Sequence, residues 1–421
     1  MQPCFACIQL DSNTVDGMPE QVHSIGNALN KNPYRIALWH LGFRPFFLGA
    51  MVFAVVAMLF WLLLLLPVAA DSLVRLSPRD WHAHEMIYGY GVAVIAGFLL
   101  TAIRNWTGIQ TVHGVMLFGL FLLWAAARLM PFIPIETNLQ VMAGLDVLFL
   151  FALLLAAFIP IARVKQWSQL GIVLNVVLLL GGNVLFYLGV LQLLEQGVAW
   201  GLYTGLYVVL GFIFIVGRRV IPFFIEKGIG GSVTVKNWRW LDVAIMGLFI
   251  VFAVLDVFTT YAALTASLAL TLFILNGIRL VGWYAAGIVS KPLLWVLYLA
   301  YVFIVAGFAM KFVSFVYSLP ASTPVHLFTI GGIGMMTTGM MARVALGHTG
   351  RNVFEPPAIL TAVFILLLTS AVSRVFLPLW AVQHYLLWMM LSQLLWLAAF
   401  SLLLWRYLPM LIKPRIDGRY G

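Results

Sequence analysis

Charged residues are scarce in this chain of 421 residues: they make up 9% of it, whereas hydrophobic residues make up 63%. An ordinary soluble domain carries roughly 25% charged residues. So much apolar surface cannot all be buried in one water-exposed core, and lipid must be the solvent for most of it. The composition therefore excludes a conventional soluble enzyme and indicates an integral membrane protein.

Cysteine is equally scarce, and both cysteines, Cys4 and Cys7, lie close to the start of the chain. Disulfide bonds are thereby excluded as a source of stability in the rest of the protein. The C-x-x-C spacing is a weak metal or redox signal, because no second cysteine pair accompanies it. The surrounding stretch lacks the pattern of a cleavable signal peptide. We predict that residues 1–38 form a disordered cytoplasmic tail.

Long apolar runs recur along the remaining chain, each near the ~20 residues that a helix needs to cross a membrane. Twelve such runs predict an all-α integral membrane domain over residues 39–408, followed by a cytoplasmic tail at 409–421. The predicted spans are 46–69, 85–103, 114–130, 139–162, 170–192, 198–217, 241–259, 261–285, 293–317, 325–346, 358–376 and 383–405.

Lysine and arginine are unevenly distributed between the two sides that these spans define. With the N-terminus in the cytoplasm, 19 of the 24 basic residues fall on the cytoplasmic side. Membrane proteins carry this bias on their cytoplasmic loops, so both termini are predicted to be cytoplasmic. Topology thus accounts for the net charge of +10. That charge predicts contact with anionic membrane lipid and no binding to nucleic acid.

Seven of the eight histidines lie at the ends of predicted spans, and the topology sorts them into two layers. The outer layer contains His82, His84, His326 and His384, and the inner layer contains His40, His113 and His348. A single histidine at a helix end is often only an interfacial residue. Two layers among so few other titratable groups instead favour metal or haem binding, because imidazole is the commonest metal ligand.

Two outer histidines belong to the string WHAHEM at 81–86, directly before a long apolar run. Residues two apart on a regular helix point about 200° away from each other, so His82 and His84 do not both bind one ion there. His84 leads an i, i+4, i+7 stripe that continues through Tyr88, and this favours His84 as the inward-facing ligand. His82 lies three residues before Glu85, whose carboxylate can orient its imidazole.

Segment 84–108 resembles segment 326–350 over 25 residues without a gap, with five identities that include the first histidine and several glycines. Segment 200–224 is a weaker third copy without the histidine. Copies four spans apart suggest three four-helix units in a pseudo-threefold arrangement. This would bring His84 and His326 to one depth, with room for a flat macrocycle between them. Glycines also simply let membrane helices pack closely.

Four strings of this sequence resemble the NnrS family, and together they extend across the membrane region. They are WHLGFRPFFLGA at 39–50, WHAHEMIYGYGVAVIAGFLLTAIRNWTG at 81–108, GRRVIPFF at 217–224 and MARVALGHTGR at 341–351. The resemblance implies a bacterial inner-membrane protein that contains b-type haem and copper. It also implies a role in nitric oxide metabolism or in the response to nitrosative stress. The reaction and the electron donor stay open.

The resemblance implies that the histidines of the two layers are candidate ligands of haem and copper. His84 and His326 are the expected axial ligands of an outer haem, and His384 can replace one of them. His82 and His384 are spare outer ligands for copper. The inner set of His40, His113 and His348 suits copper or a second haem.

Four arginines near the inner depth are candidates to pair with haem propionates or lipid phosphate. They are Arg44, Arg104, Arg343 and Arg351. The positive-inside bias explains them equally well. Nitric oxide is small and neutral and needs no charged pocket, which agrees with the scarcity of charge in the spans.

A membrane transporter or chaperone for copper or haem is the alternative function. Histidine layers on opposite faces support it, and methionines 335, 336, 340 and 341 can bind Cu(I), although packing explains them better. A transporter should also carry polar groups near the midplane. Asp146, Asn175, Asn183 and Asp256 are candidates for that role, but we expect them to be unclustered by depth.

Overall fold

The computed structural model describes residues 36–64, 76–231 and 233–421, and within these ranges it contains helices and no strands. Twelve helices are long and apolar enough to cross a membrane, which confirms the predicted all-α membrane fold. They are α1 Phe43–Leu63, α2 Pro78–Thr107, α3 Gly114–Phe132, α4 Asn138–Arg163, α5 Trp167–Val190, α6 Gly197–Ile229, α7 Arg239–Phe258, α8 Ala262–Trp283, α9 Pro292–Tyr317, α10 Ser322–His348, α11 Ile359–Trp380 and α12 Val382–Ile412. Cys4 and Cys7 lie outside the described residues, as does most of the predicted N-terminal tail.

Three helices extend well beyond their predicted apolar runs, and one of them is α6, which continues to Ile229 and not only to residue 217. α2 begins at Pro78, because the Ser77 hydroxyl caps it by accepting a hydrogen bond from the Asp80 amide at 3.1 Å. Proline suits the first helical turn, where its missing N–H costs nothing. The string at 81–86 therefore belongs to the helix itself. α12 continues to Ile412 and so takes up the start of the predicted C-terminal tail.

α2 and α10 are the most enclosed helices of the bundle. Inside the protein, 83% of the apolar segment of α2 and 67% of that of α10 are buried, against 28% for α7. α6 and α9 follow at 61% each. Because α9 is as buried as α6, burial does not single out α2, α6 and α10, and the pseudo-threefold arrangement stays a prediction.

α2 and α10 also share a departure from regular helix geometry. A π-helical segment covers Glu85–Gly91 in α2 and Leu327–Gly334 in α10. Each begins directly after the histidine that opens the repeat, so the segments coincide when 84–108 is aligned with 326–350. π-helical turns are rare and concentrate at functional sites. Their matched positions support the repeat, whereas α6, the weaker third copy, is α-helical throughout.

α5 and α6 pack backbone to backbone through glycines. A Cβ atom on Gly201 would lie 2.6 Å from the Gly182 carbonyl oxygen and 2.6 Å from the Cα of Phe186, which is too close for any side chain. Small residues on one face let membrane helices approach in this way. The approach matters for the site, because α5 carries Asn183 and Tyr187.

Gly201→Ala should destabilise the protein by about 1–3 kcal/mol, because the added methyl group forces α5 and α6 apart. Thermal unfolding of the detergent-solubilised protein measures this loss. Gly181→Ala is the matched control, because a Cβ atom at that position meets nothing within 4 Å. Equal unfolding temperatures for the two variants would contradict the close backbone packing.

Candidate metal and cofactor site

His84 is completely buried in α2, near the end of the bundle that we call outer after the predicted orientation. Its Nδ1 lies 3.1 Å from Glu85 Oε1, and its Nε2 lies 2.9 Å from Asn183 Oδ1 on α5. The ring also stacks on Phe186, with the ring centroids 4.3 Å apart. Both ring nitrogens have protein partners, so a metal ion would have to displace one of them.

A buried ion network continues from Glu85. Arg128 of α3 donates a hydrogen bond to Glu85 Oε2 at 2.7 Å and another to Asp146 of α4. Tyr187 of α5 donates to Asp146 Oδ2 at 2.5 Å. These four side chains are at most 4% exposed. Unpaired buried charges are expensive, and a guanidinium hydrogen-bonded to two carboxylates offsets much of that cost.

This network corrects the expectation that Asp146 and Asn183 are unclustered. They meet at His84, whose Nε2 lies 3.7 Å from Asp146 Oδ2. Sequence reasoning treats Arg128 only as one of the few outer basic residues. A partial signal for the cluster was available, because Glu85 and Arg128 lie at the outer ends of their predicted spans and Asp146 lies in the outer half of its span, whereas Asn183 lies near the middle of span 170–192.

The predicted stripe from His84 to Tyr88 does form, but it faces α5 and α6. The two rings are 5.0 Å apart, and the Tyr88 hydroxyl donates to the Gly201 carbonyl oxygen at 2.7 Å. The described contacts of His84 thus come from that side of the bundle, and not from His326 on α10. A π-helical turn directly after His84 changes which residues share a face, and periodicity along the sequence does not anticipate it.

His82 packs against α1. Its ring stacks on Trp61, with centroids 4.4 Å apart and planes 10° from parallel. The predicted support from Glu85 does not form, because the two carboxylate oxygens of Glu85 contact His84 and Arg128. The Nδ1 of His82 is buried and has no hydrogen-bond partner. A buried polar atom of this kind needs an explanation, and a bound ligand is one.

His326 of α10 lies near His82. Its Nδ1 lies 2.6 Å from the Ser322 carbonyl oxygen, so Nδ1 carries the proton and Nε2 keeps its lone pair. Metal-binding histidines commonly have this arrangement. His82 and Arg374 of α11 are both close enough to act electrostatically on His326. His82, His326 and Arg374 therefore lie within electrostatic range of one another. We call His82 and His326 the outer pair.

The last outer histidine, His384, lies at the exposed start of α12, where its ring edge contacts Trp388. Across the part of the chain that the structure describes, no three His, Cys, Asp or Glu side chains converge to hold a metal ion. The outer pair is thus a two-histidine arrangement. It suits a cofactor that brings its own ligands better than a bare ion.

The inner end carries His40, His113 and His348. The Nδ1 of His113 lies 3.0 Å from the Thr111 carbonyl oxygen, which again leaves Nε2 with its lone pair. Burial lowers the pKa of His40, and the nearby charges of Arg44 and His113 lower it further. His40 is therefore in its neutral form near neutral pH, the form that binds metals.

Aromatic rings cover two of these inner histidines. His40 stacks on Tyr420 at a centroid distance of 4.7 Å, and His348 packs on Phe43 at 5.6 Å. The three inner histidines share one region of the protein. Within the described ranges, however, they do not form a preformed three-ligand metal site, which the sequence leaves open.

The terminal nitrogens of one of the four inner arginines, Arg44, are bound by main-chain oxygens of the protein. Arg44 is completely buried and donates to the main-chain oxygens of Leu411 at 2.7 Å, Lys413 at 2.8 Å and Gly421 at 2.5 Å. It holds the C-terminal segment and is not free to bind a propionate.

The other inner arginines are less enclosed. The guanidinium of Arg104 lies 5.5 Å from the Tyr420 ring centroid, and that of Arg343 lies 3.7 Å from the Phe224 centroid. A cation–π contact uses the face of the guanidinium and leaves its N–H edge for an anion. Arg104 and Arg343 thus stay candidates for phosphate or propionate. Arg351 donates to the Thr349 carbonyl oxygen at 3.4 Å.

Residues 413–421 fold back onto the inner end. Arg415 pairs with Asp417 and also donates to the His348 carbonyl oxygen at 3.0 Å. The hydrogen bond from Arg415 lowers the pKa of Asp417 to about 2, so the carboxylate stays charged at neutral pH. The predicted C-terminal tail is therefore a docked segment that covers the inner histidines.

Arg128→Met should destabilise the protein by about 3–5 kcal/mol, because it leaves two buried carboxylates without their shared cation. Thermal unfolding in detergent measures the loss. Adding Glu85→Gln to Arg128→Met should recover part of it, since one unpaired charge is then removed. A double variant that is no more stable than Arg128→Met would refute the electrostatic account.

The family model described as NnrS protein matches residues 37–415 of this chain. No curated protein matches the chain. The family match includes all twelve helices, both histidine layers and the ion network around Arg128. Since it extends over nearly the whole sequence, the chain belongs to the NnrS family.

Proposed function

We propose that this protein is a redox-active haem and copper protein of the bacterial inner membrane that acts on nitric oxide, in its metabolism or in the response to nitrosative stress. Family membership supports the link to nitric oxide. The observation that carries the proposal is the outer pair. Two histidines from the two repeat helices lie within electrostatic range of each other, His82 with an unpartnered buried nitrogen and His326 with a free Nε2.

The outer pair fits a haem. Haem supplies four nitrogen ligands of its own and needs one or two axial ligands from the protein. Arg374 stands beside both histidines and also donates to the Tyr385 hydroxyl at 3.1 Å, so its charge is available for a propionate. His84 fits less well, because both of its ring nitrogens are engaged. We therefore assign His82 and His326 to the haem.

Bound haem would supply exchange of one electron. The residues of this chain have supporting roles. The Ser322 carbonyl fixes the tautomer of His326, and Trp61 fixes the ring plane of His82. The network around Arg128 ties α2 to α3 and α4 three residues after His82 and so would help to fix its position.

The inner histidines are the proposed copper ligands. His113 presents a free Nε2, and His40 and His348 lie under the docked C-terminal segment. Imidazole suits copper, and the aromatic and basic cover would limit access of water and of other cations. A complete copper site would need these rings to approach one another when the ion binds.

The haem assignment is tested by optical spectra and haem content of the purified protein. We expect a Soret band that His82→Ala or His326→Ala removes or shifts, because each variant lacks a side chain that would hold the haem. His384→Ala is the matched control and should leave the spectrum unchanged, since this histidine is exposed. Unchanged spectra in both test variants, or loss confined to a conservative His84→Asn variant, would contradict the outer pair.

The copper assignment is tested by elemental analysis. We expect His113→Ala and His348→Ala to lower copper per protein while the haem content stays constant, because the two sites lie at opposite ends of the bundle. His384→Ala again serves as the control. Equal loss of both metals would mean one shared site and would refute the two-site arrangement.

Transport of copper or haem is the second candidate function, and histidines at both ends of the bundle support it. The space between α2, α6 and α10 in the middle of the bundle is lined by apolar side chains and one threonine. A cation crossing that region would find no ionisable group, and the thioethers of Met336 and Met340 would be its only soft ligands in the lining. Intramembrane ionisable groups normally mark such paths. This lining favours the redox function.

A further inference from the structure

A small cavity lies at the middle depth of the bundle, where α1, α2, α6 and α10 meet. Its volume is about 60 Å³, and its walls include Phe47, Ile95, Ile213 and Met340. Neither histidine layer takes part in it. Most of the wall is deeply buried, while Phe98, Val216, Val220 and Met340 are only half-buried. The cavity therefore extends from the centre of the bundle toward its lipid-facing surface.

The one hydroxyl in the cavity wall belongs to Thr337, and it is already used. Thr337 Oγ1 donates to the Ile333 carbonyl oxygen at 2.7 Å and lies 2.7 Å from the Tyr90 hydroxyl, from which it can accept. A buried water needs two to four polar partners, and an apolar cavity of sufficient size otherwise stays dry. The cavity volume exceeds the roughly 10–15 Å³ that one water needs. Water is therefore excluded by the lack of polar partners in the wall and not by the size of the cavity.

We propose that this cavity binds small neutral apolar molecules of about diatomic size that enter from the lipid phase. It is far smaller than the roughly 300–1,000 Å³ pockets that hold drug-sized ligands, which argues against a macrocycle or an acyl chain. Dispersion contacts with the surrounding side chains supply the affinity. This inference stands on the cavity wall alone and does not depend on either metal site.

The depth of the cavity can be compared with that of the two histidine layers. Along α10, Met336 lies ten residues after His326, with the π-helical segment between them, and Met340 lies eight residues, or roughly 12 Å at the α-helical rise, before His348. A neutral molecule held there would be midway between the outer and the inner histidines. The cavity would thus concentrate such a molecule from the membrane at the centre of the bundle.

One glycine keeps the cavity open. Gly217 of α6 lines it, and a Cβ atom there would meet only Ile221 and Ile213 of its own helix, at 3.4 Å or more. These are ordinary van der Waals distances, so a side chain at this position would enter the cavity without strain. Gly211, on the same helix, would place a Cβ atom at 3.4 Å from Phe249 and away from the cavity.

Xenon is the probe that tests this proposal, because it binds to dry apolar cavities without any polar contact. Crystals of the full chain are pressurised with xenon, and the anomalous difference map is inspected at the cavity. We expect a peak in the unmodified protein, a weaker one in Gly217→Ala and none in Gly217→Leu. Gly211→Ala is the matched control and should keep the full peak. Thermal unfolding shows that each variant is folded.

Ile213→Ala tests whether a larger cavity binds more xenon. The substitution removes side-chain atoms from the cavity wall and should increase xenon occupancy. No xenon peak in the unmodified protein would overturn the proposal. So would ordered water, a lipid chain or a cofactor in the cavity, or a Gly217→Leu variant that folds and keeps the full peak. Loss of haem or copper in other variants would not bear on these outcomes, so failure of the proposed function and of this site are distinguishable.

Discussion

The guanidinium of Arg128 is the group on which the outer half of this fold depends. Glu85 and Asp146 are carboxylates buried among apolar helices, where lipid offers no hydrogen bond. Arg128 binds both and so joins α2, α3 and α4, while Tyr187 ties α5 to the same point. Four helices are thus fixed relative to one another by one cation.

The network also decides which histidine is free to bind a ligand. Glu85 Oε1 and Asn183 engage the two ring nitrogens of His84, so that residue is part of the scaffold. His82 lies two positions earlier and packs toward α1, with an unpartnered nitrogen and with His326 close by. The functional role proposed for His82 therefore follows from the structural role of its neighbour. The π-helical segment that begins at Glu85 lies at this junction.

Polar groups gather at the two ends of the bundle, and its middle is apolar. The outer end holds the ion network and the outer pair, and the inner end holds three histidines, two of which, His40 and His348, contact the docked C-terminal segment. Between them, α2, α6 and α10 enclose a cavity whose single hydroxyl is satisfied. This layering suits a protein that handles a neutral, lipid-soluble ligand between sites at its two ends.

Hydropathy and spacing alone determined the twelve helices, the two histidine layers and the repeat that relates α2 to α10. The reason is that the order of residues along one helix fixes both their depth in the membrane and the periodicity of their burial. They did not determine that Asp146 and Asn183 meet at His84, that His82 and not His84 stands near His326, or that residues 413–421 dock on the inner end. Those facts depend on how neighbouring helices rotate and approach, which here follows from glycine contacts, π-helical turns and the need of buried charges for partners. Such contacts join residues far apart in the chain, and only the tertiary structure decides them.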